Sequence, residues 1–380
     1  MRPDETPAGR SVQSVFWDYL ALLAGRGLGL ILICAVFGRM TRLLGREGFG
    51  RFSLYLLVGQ LLFLFVVNWS GTAVVRFGRQ EFLETGLLGR TFWARNVLLV
   101  FCVSPALVTV LLLRRPILEY IGTTGLSIWL VVAFLLTLLV DNYASRLLQA
   151  SGKLRSFAFQ SPVAFTATLL VLLAVPYVSD STRMTGVIFA YLAGKWTSTL
   201  YGFGRLGRRF LKPVVFDAQT VRRILLFSYP LIIGSICTYV VGSIDLIVLK
   251  HFRPVAEVGT YALAYQGMTV LRQVPMAAMV LMVPLVTTFR TTGKDTLTRR
   301  FISSTVPGAV FLWTLLLIPV GFAARFLIPL LFSPPFAQST WPFRMLSVAV
   351  TFAAFRHLYY AVEINYDLVK QYSLISVVLA

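Results

Sequence analysis

Apolar runs of about 20 residues recur along almost the whole chain, separated by short connections rich in arginine, glycine and proline. A hydrocarbon core roughly 30 Å thick is crossed by about 20 helical residues rising 1.5 Å each, so every run predicts one membrane-spanning helix. Ten full spans are expected, over residues 16–37, 52–69, 96–113, 126–149, 157–178, 184–203, 224–249, 261–286, 301–322 and 341–362. An eleventh is expected to begin near Tyr372 and to run past Ala380. The pattern therefore predicts an all-α, polytopic transmembrane helical bundle.

Composition excludes a soluble domain. Apolar residues make up 57% of the chain and aromatics 14%, with a mean hydropathy of +0.77, and the surplus must face lipid. Asp4, Glu5 and Asp18 spoil a secretory n-region and Arg26 interrupts the first apolar run, so the first span is expected to be retained. Cys34, Cys102 and Cys237 lie in apolar runs at unrelated spacings, which predicts packing roles and neither disulfides nor a metal site.

A net charge of +20 raises nucleic acid as a partner, but the basic residues sit in short connections and form no soluble basic domain. They follow the positive-inside rule instead. The connections around 76–95, 153–155, 205–223 and 290–300 outweigh those around 39–51, 114–115, 250–253 and 325–344, which predicts a cytoplasmic N-terminus.

The chain also resembles itself. A shift of 209 residues lays Gly50-Arg51-Phe52-Ser53-Leu54 on Gly259-Thr260-Tyr261-Ala262-Leu263, and Arg90 with Phe92 on Arg299 with Phe301. A shift of 212 lays Ser127-Ile128-Trp129 on Ser339-Thr340-Trp341. These matches predict an N-terminal segment over 1–14, a first six-helix bundle over 15–215, and a second bundle over 216–380 that is truncated at four full spans and the start of a fifth. An equal second unit is expected to run to roughly residue 430.

Charged residues within the spans carry the candidate chemistry. Arg26, Arg146, Lys195, Arg272 and Arg356 fall inside apolar runs, joined by Asp141 and Asp245. Each costs roughly 2.5 to 3.5 kcal/mol near the bilayer centre, so such groups normally face a bundle interior or a wet cavity. Ser235, Thr238, Gly242 and Asp245 share one helix face, and the 209-residue shift puts Arg26 on the matching face of the first span. Asp141, Asn142, Ser145, Arg146 and Gln149 form a second polar face, while Arg356, His357, Tyr360 and Glu363 form a third. Arg146 also suits snorkelling from a span end. Asp141 suits either neutralisation of a neighbouring cation or ion coupling. The cations outnumber the carboxylates, a field that attracts phosphate and repels organic cations.

The run Leu44-Gly45-Arg46-Glu47-Gly48-Phe49-Gly50, with Phe52-Ser53-Leu54, resembles a signature of bacterial polysaccharide flippases in the multidrug/oligosaccharidyl-lipid/polysaccharide exporter superfamily. Trp69-Ser70-Gly71-Thr72-Ala73 ahead of Arg76, Leu148 to Lys153, and Asp245 with Val258-Gly259-Thr260-Tyr261 extend the similarity. Leu246 and Lys250 depart from it, standing where the family has a basic residue and a glycine. The resemblance implies a MATE-like fold of two bundles around a central cavity. It further implies a transporter of the cytoplasmic (inner) membrane, not an enzyme, that uses no cofactor and moves an undecaprenyl-type lipid-linked anionic oligosaccharide for polysaccharide assembly, alongside polymerase machinery. Arg26, Lys195, Arg272, Arg356 and Arg146 are then the expected substrate-binding residues, with Asp141 and Asp245 as ion-coupling candidates. Two alternatives stand beside it: a MATE-like drug or cation antiporter, and a membrane-embedded enzyme of lipid-linked sugars.

Overall fold

Apolar runs become helices because in lipid each backbone N–H and C=O must be satisfied within its own segment. The computed structural model describes residues 12–123, 126–177, 182–207, 217–291 and 295–365. Among them the chain is helical nearly throughout and contains no strand. Six stretches are long and apolar enough to cross a membrane: Leu20–Thr85, Gly89–Leu112, Ile128–Ala150, Leu154–Ala174, Gly234–Phe252 and Thr296–Leu331. Expected spans 184–203, 261–286 and 341–362 are helical as well, and they carry Lys195, Arg272 and Arg356. The expected eleventh span lies outside the described residues.

Helix α1, Val12–Phe63, corrects one expectation. The connection around 39–51, expected as an outer loop, is helical on both sides of a single break at Gly45 (φ 64°, ψ −173°). A side chain at that positive φ would meet its own carbonyl, so glycine alone turns the chain there cheaply. A π-helical turn, Leu64–Asn68, leads directly into α2, Trp69–Thr85. Gly86 ends α2 in the left-handed region, and α3 runs over Gly89–Leu112. The carboxylate of buried Glu81 reaches across this corner. It accepts the N–H groups of Arg90 and Thr91, each at 2.8 Å, and so satisfies orphan donors at the positive end of α3.

The chain continues through α4 (Arg114–Ile121), α5 (Ile128–Ala150), α6 (Leu154–Ala174), α7 (Arg183–Leu206), α8 (Ala218–Phe252), α9 (Val255–Thr291) and α10 (Asp295–Arg300). After a second π-helical turn, Phe301–Thr305, come α11 (Val306–Leu331) and α12 (Thr340–Asn365). Asp217 opens α8 by accepting the Thr220 hydroxyl at 2.5 Å and the Gln219 N–H at 3.0 Å, bonds that hold its carboxyl below the usual carboxylate range. Basic residues beside helix ends act as C-terminal caps. Arg79 Nη1 donates to Ala150 O at 3.3 Å and Lys153 Nζ to Arg205 O at 2.7 Å. Partial burial and the nearby Arg205 charge push the Lys153 ammonium below its ordinary pKa.

Two compact units result, Met1–Leu44 with Arg51–Gly242, and Gly45–Gly50 with Ser243–Ala380. In the first, an aromatic stack joins α1, α5 and α7: Tyr55 lies 5.0 Å from Phe134, and Tyr191 lies about 6 Å from both Phe52 and Phe134. In the second, α9 packs along α12 around Met268, Leu317, Val350, Ala354 and Leu358. The segment Gly45–Gly50 is held there by Arg46 Nε on Thr260 Oγ1 (3.1 Å) and by Phe49 edge-on to Phe336 (5.8 Å). Its glycine meets the residue that the 209-residue shift lays on it. A Cβ on Gly50 would lie 2.2 Å from Val255 O, and one on Gly259 would lie 2.1 Å from Arg46 O. The 209-residue shift carries Arg46 onto Val255 and Gly50 onto Gly259, so the contact is reciprocal.

Candidate functional site

In the first unit the polar face of α5 meets two neighbours. Toward α7, Asp141 Oδ2 pairs with Lys195 Nζ at 2.9 Å, and Asp141 Oδ1 accepts the Ser198 hydroxyl at 2.9 Å. Lys195 and Ser198 are three residues apart on one face of α7, so a single carboxylate spans both. One turn along α5, Ser145 donates to Gln160 of α6 at 2.9 Å.

Toward α2 and α3 the same helix presents Asn142 and Arg146. Arg95 lies there with no exposed surface: Nε donates to Ser70 Oγ (2.9 Å), Nη2 to Asn142 Oδ1 (2.8 Å) and Val67 O (3.3 Å). Its guanidinium also sits 4.3 Å above the Tyr143 ring, whose hydroxyl donates to Asn96 at 2.6 Å. Val67 belongs to the π-helical turn, where a carbonyl is displaced from the regular ladder and open to side-chain donors. Arg146 stands within electrostatic reach of Arg95 and donates weakly to Gln149 (3.5 Å); Gly71 lets it lie close on α2.

Arg95 is a correction. Its charge reads as the cytoplasmic edge of a span expected to start at residue 96, yet α3 begins at Gly89 and takes Arg95 inside. The neutral partners that make this tolerable, Ser70, Asn142 and Tyr143, come from other helices. The usable sequence signal is the placement of Ser70 and Gly71 directly after an apolar run.

Arg26 lies half-buried on α1, where neighbouring Gly25 packs against Ala158 of α6; its Nη1 is buried with no hydrogen-bond partner. In the second unit, half-buried Asp245 accepts the Tyr261 hydroxyl and the Leu246 N–H. Arg272 of α9 is close enough to Tyr265, and to His357 of α12, to act on both; Arg356 also acts on His357. Arg272 Nε is buried with no hydrogen-bond partner, while Arg356 is exposed. The candidates thus fall into Asp141 with Lys195, Arg146 with Arg95, Arg272 with Arg356 and His357, Asp245 with Tyr261, and Arg26. Among the described residues no three metal-ligating side chains gather.

A family model described as "Polysaccharide biosynthesis protein" matches residues 11–290. The chain belongs to that family. It is a multi-pass membrane protein of the flippase type associated with polysaccharide biosynthesis. No curated protein matches it. The family match covers α1 to α8 and nearly all of α9, and so every candidate residue except Arg356 and His357.

The Asp141–Lys195 pair gives a first test. Asp141→Asn leaves a largely buried ammonium without its counter-charge, and is expected to cost about 2 kcal/mol after allowance for partial solvent access. Asp141→Asn combined with Lys195→Met is expected to recover most of that. Thermal melting of the wild type, both singles and the double in detergent measures the coupling. Additive losses would show that the two groups do not depend on each other.

Proposed function

We propose that this family member flips a lipid-linked anionic oligosaccharide, by alternating access between two repeat-related bundles in the cytoplasmic membrane, with its N-terminus inside. The observation that carries the reading is the pair Arg26 and Arg272, each with a guanidinium nitrogen that is buried but given no acceptor by the protein. An unsatisfied donor costs about 1–3 kcal/mol, more when charged, and an anionic ligand repays it. A diphosphate linking sugar to lipid has the oxygens to do so. The reciprocal glycine contact supports the duplication on which alternating access rests.

Lys195 enters this reading as half of an ion pair, so it serves the substrate less directly than Arg26 and Arg272. Arg146, whose Nε is likewise buried without an acceptor, is a third such donor among the candidates, Arg356 adds positive potential, and Asp141 and Asp245 are the acidic groups through which a proton or cation would couple. An undecaprenyl-type carrier and a downstream polymerase are the partners this predicts. Asp141 and Asp245 are also what a MATE-like cation antiporter would use, and a glycolipid-processing enzyme is the remaining alternative.

In vesicles reconstituted with a polyprenyl-diphosphate sugar, Arg26→Gln and Arg272→Gln are each expected to lower flipping at least roughly tenfold, the worth of one charge-assisted hydrogen bond. Melting temperature and membrane yield should stay near wild type. Lysine should restore activity in part, since it keeps charge but loses the planar fork. Flipping at the normal rate by the double variant would overturn the reading. Export of organic cations without any glycolipid movement would favour the antiporter.

A further inference from the structure

The polar clusters above leave one feature unused, an elongated cavity of about 310 Å³ between α11 and α12. Its walls are hydrocarbon: Leu317, Ile318 and Phe322 from α11, Val348 from α12. Ile318, Phe322 and Val348 are more than half exposed, so the groove opens at the surface of α11 and α12. Two of the three hydroxyls in its lining are already committed. Thr314 Oγ1 donates to Val310 O at 2.8 Å and Ser347 Oγ to Phe343 O at 2.8 Å, which suits the interior to an alkyl chain better than to sugar or water.

One end is different. Arg344 lines it, four residues into α12, with Nε donating to Gly321 O at 2.9 Å. That bond fixes the guanidinium plane and leaves the Nη edge as donors, and no carboxylate among the described residues pairs with Arg344. The first turn of α12 adds positive potential from its helix dipole. From Arg344 to Thr351, which meets Thr314 at 3.4 Å, the groove runs roughly 10 Å along the helix. A cationic mouth over a hydrocarbon trough is complementary to an amphiphile with an anionic head.

We infer that this groove is a binding site for an anionic phospholipid, its phosphate on Arg344 and one acyl chain laid between α11 and α12. A single fixed guanidinium matches the single charge of a phosphodiester. A diphosphate-linked sugar would need more donors and room for its headgroup, so the inference names a bilayer lipid and is independent of the flipping reading.

Native mass spectrometry of the full chain tests it, with phosphatidylglycerol and phosphatidylcholine of identical acyl chains titrated separately. Phosphatidylglycerol is expected to bind about tenfold more tightly, the difference one charge-assisted contact makes. Arg344→Gln, which can still donate to Gly321 O, should erase that preference. Val348→Trp should block the trough and lower the occupancy of both lipids with the charge intact. Equal binding of the two lipids to wild type would overturn the site. So would an unchanged preference in Arg344→Gln together with unchanged occupancy in Val348→Trp. If a polyprenyl phosphate displaced phosphatidylglycerol at equal concentration, the groove would belong to the carrier lipid and the assignment to a bilayer lipid would be wrong. Should Arg344→Gln melt well below wild type, Val348→Trp and the wild-type lipid preference decide the matter.

Discussion

Gly259→Val is expected to remove folded protein from the membrane altogether, and Gly259→Ala to come close. A Cβ there lies 2.1 Å from Arg46 O and 2.8 Å from Gly50 N, both backbone atoms that no rotamer change can move aside. Relief requires shifting the segment Gly45–Gly50 away from α9, breaking the Arg46–Thr260 bond and the Phe49–Phe336 contact together. Overpacking of this kind costs about 1–3 kcal/mol where side chains can yield, and more where only backbone is available. Gly50→Ala should fail for the mirror-image reason, with Val255 O at 2.2 Å. Pairing the two alanines should not rescue either, because both press on the same contact. Gly308→Ala on α11 is the control, since nothing lies within 4 Å of its added methyl. Yield of monodisperse protein on size-exclusion chromatography reads the outcome. A Gly259→Val peak of wild-type height would refute the close approach.

Arg95→Ala is expected to be nearly as damaging, although two effects oppose each other. Removing a charge from a span returns roughly 2.5 to 3.5 kcal/mol of insertion cost. Against that, a large fully buried side chain leaves a cavity worth about 3 to 5 kcal/mol, and Val67 O and Asn142 each lose a donor at about 1–3 kcal/mol. The losses win, by about 5 kcal/mol at the middle of these ranges. Arg95→Met separates the contributions: it refills most of the volume and drops the charge, so it should melt between wild type and alanine. An alanine variant as stable as wild type would mean that the hydrogen bonds around Arg95 contribute nothing net.

Helices were the legible part of this protein, because apolar runs of bilayer length have few other folded outcomes in lipid. The break in α1 shows where that logic stops. A cluster of arginines with three glycines reads as loop, yet the chain stays helical up to Gly45 and resumes at once, since one residue at positive φ is enough to redirect it. Charges inside spans were visible as costly groups, but their partners were not. Asp141 and Lys195 are 54 residues apart, and nothing local distinguishes an ion pair from two free ligands. Arg95 was hidden for the opposite reason: its partners are neutral, so no complementary charge in the sequence points to it. The reciprocal contact of Gly50 with Gly259 was half legible, since the 209-residue shift pairs the two glycines but does not say that they touch.

Arg95 also constrains how the protein is made. At synthesis rates of about 5–20 residues per second, Asn142 emerges roughly 2 to 9 seconds after Arg95, from which it is separated by 47 residues. During that interval Ser70 and Val67 are the partners available, and a guanidinium half-satisfied by them is poorly suited to lipid. Helix α3 therefore has reason to linger beside the insertion machinery until α5 arrives, so that α2, α3 and α5 are released into the bilayer as one unit.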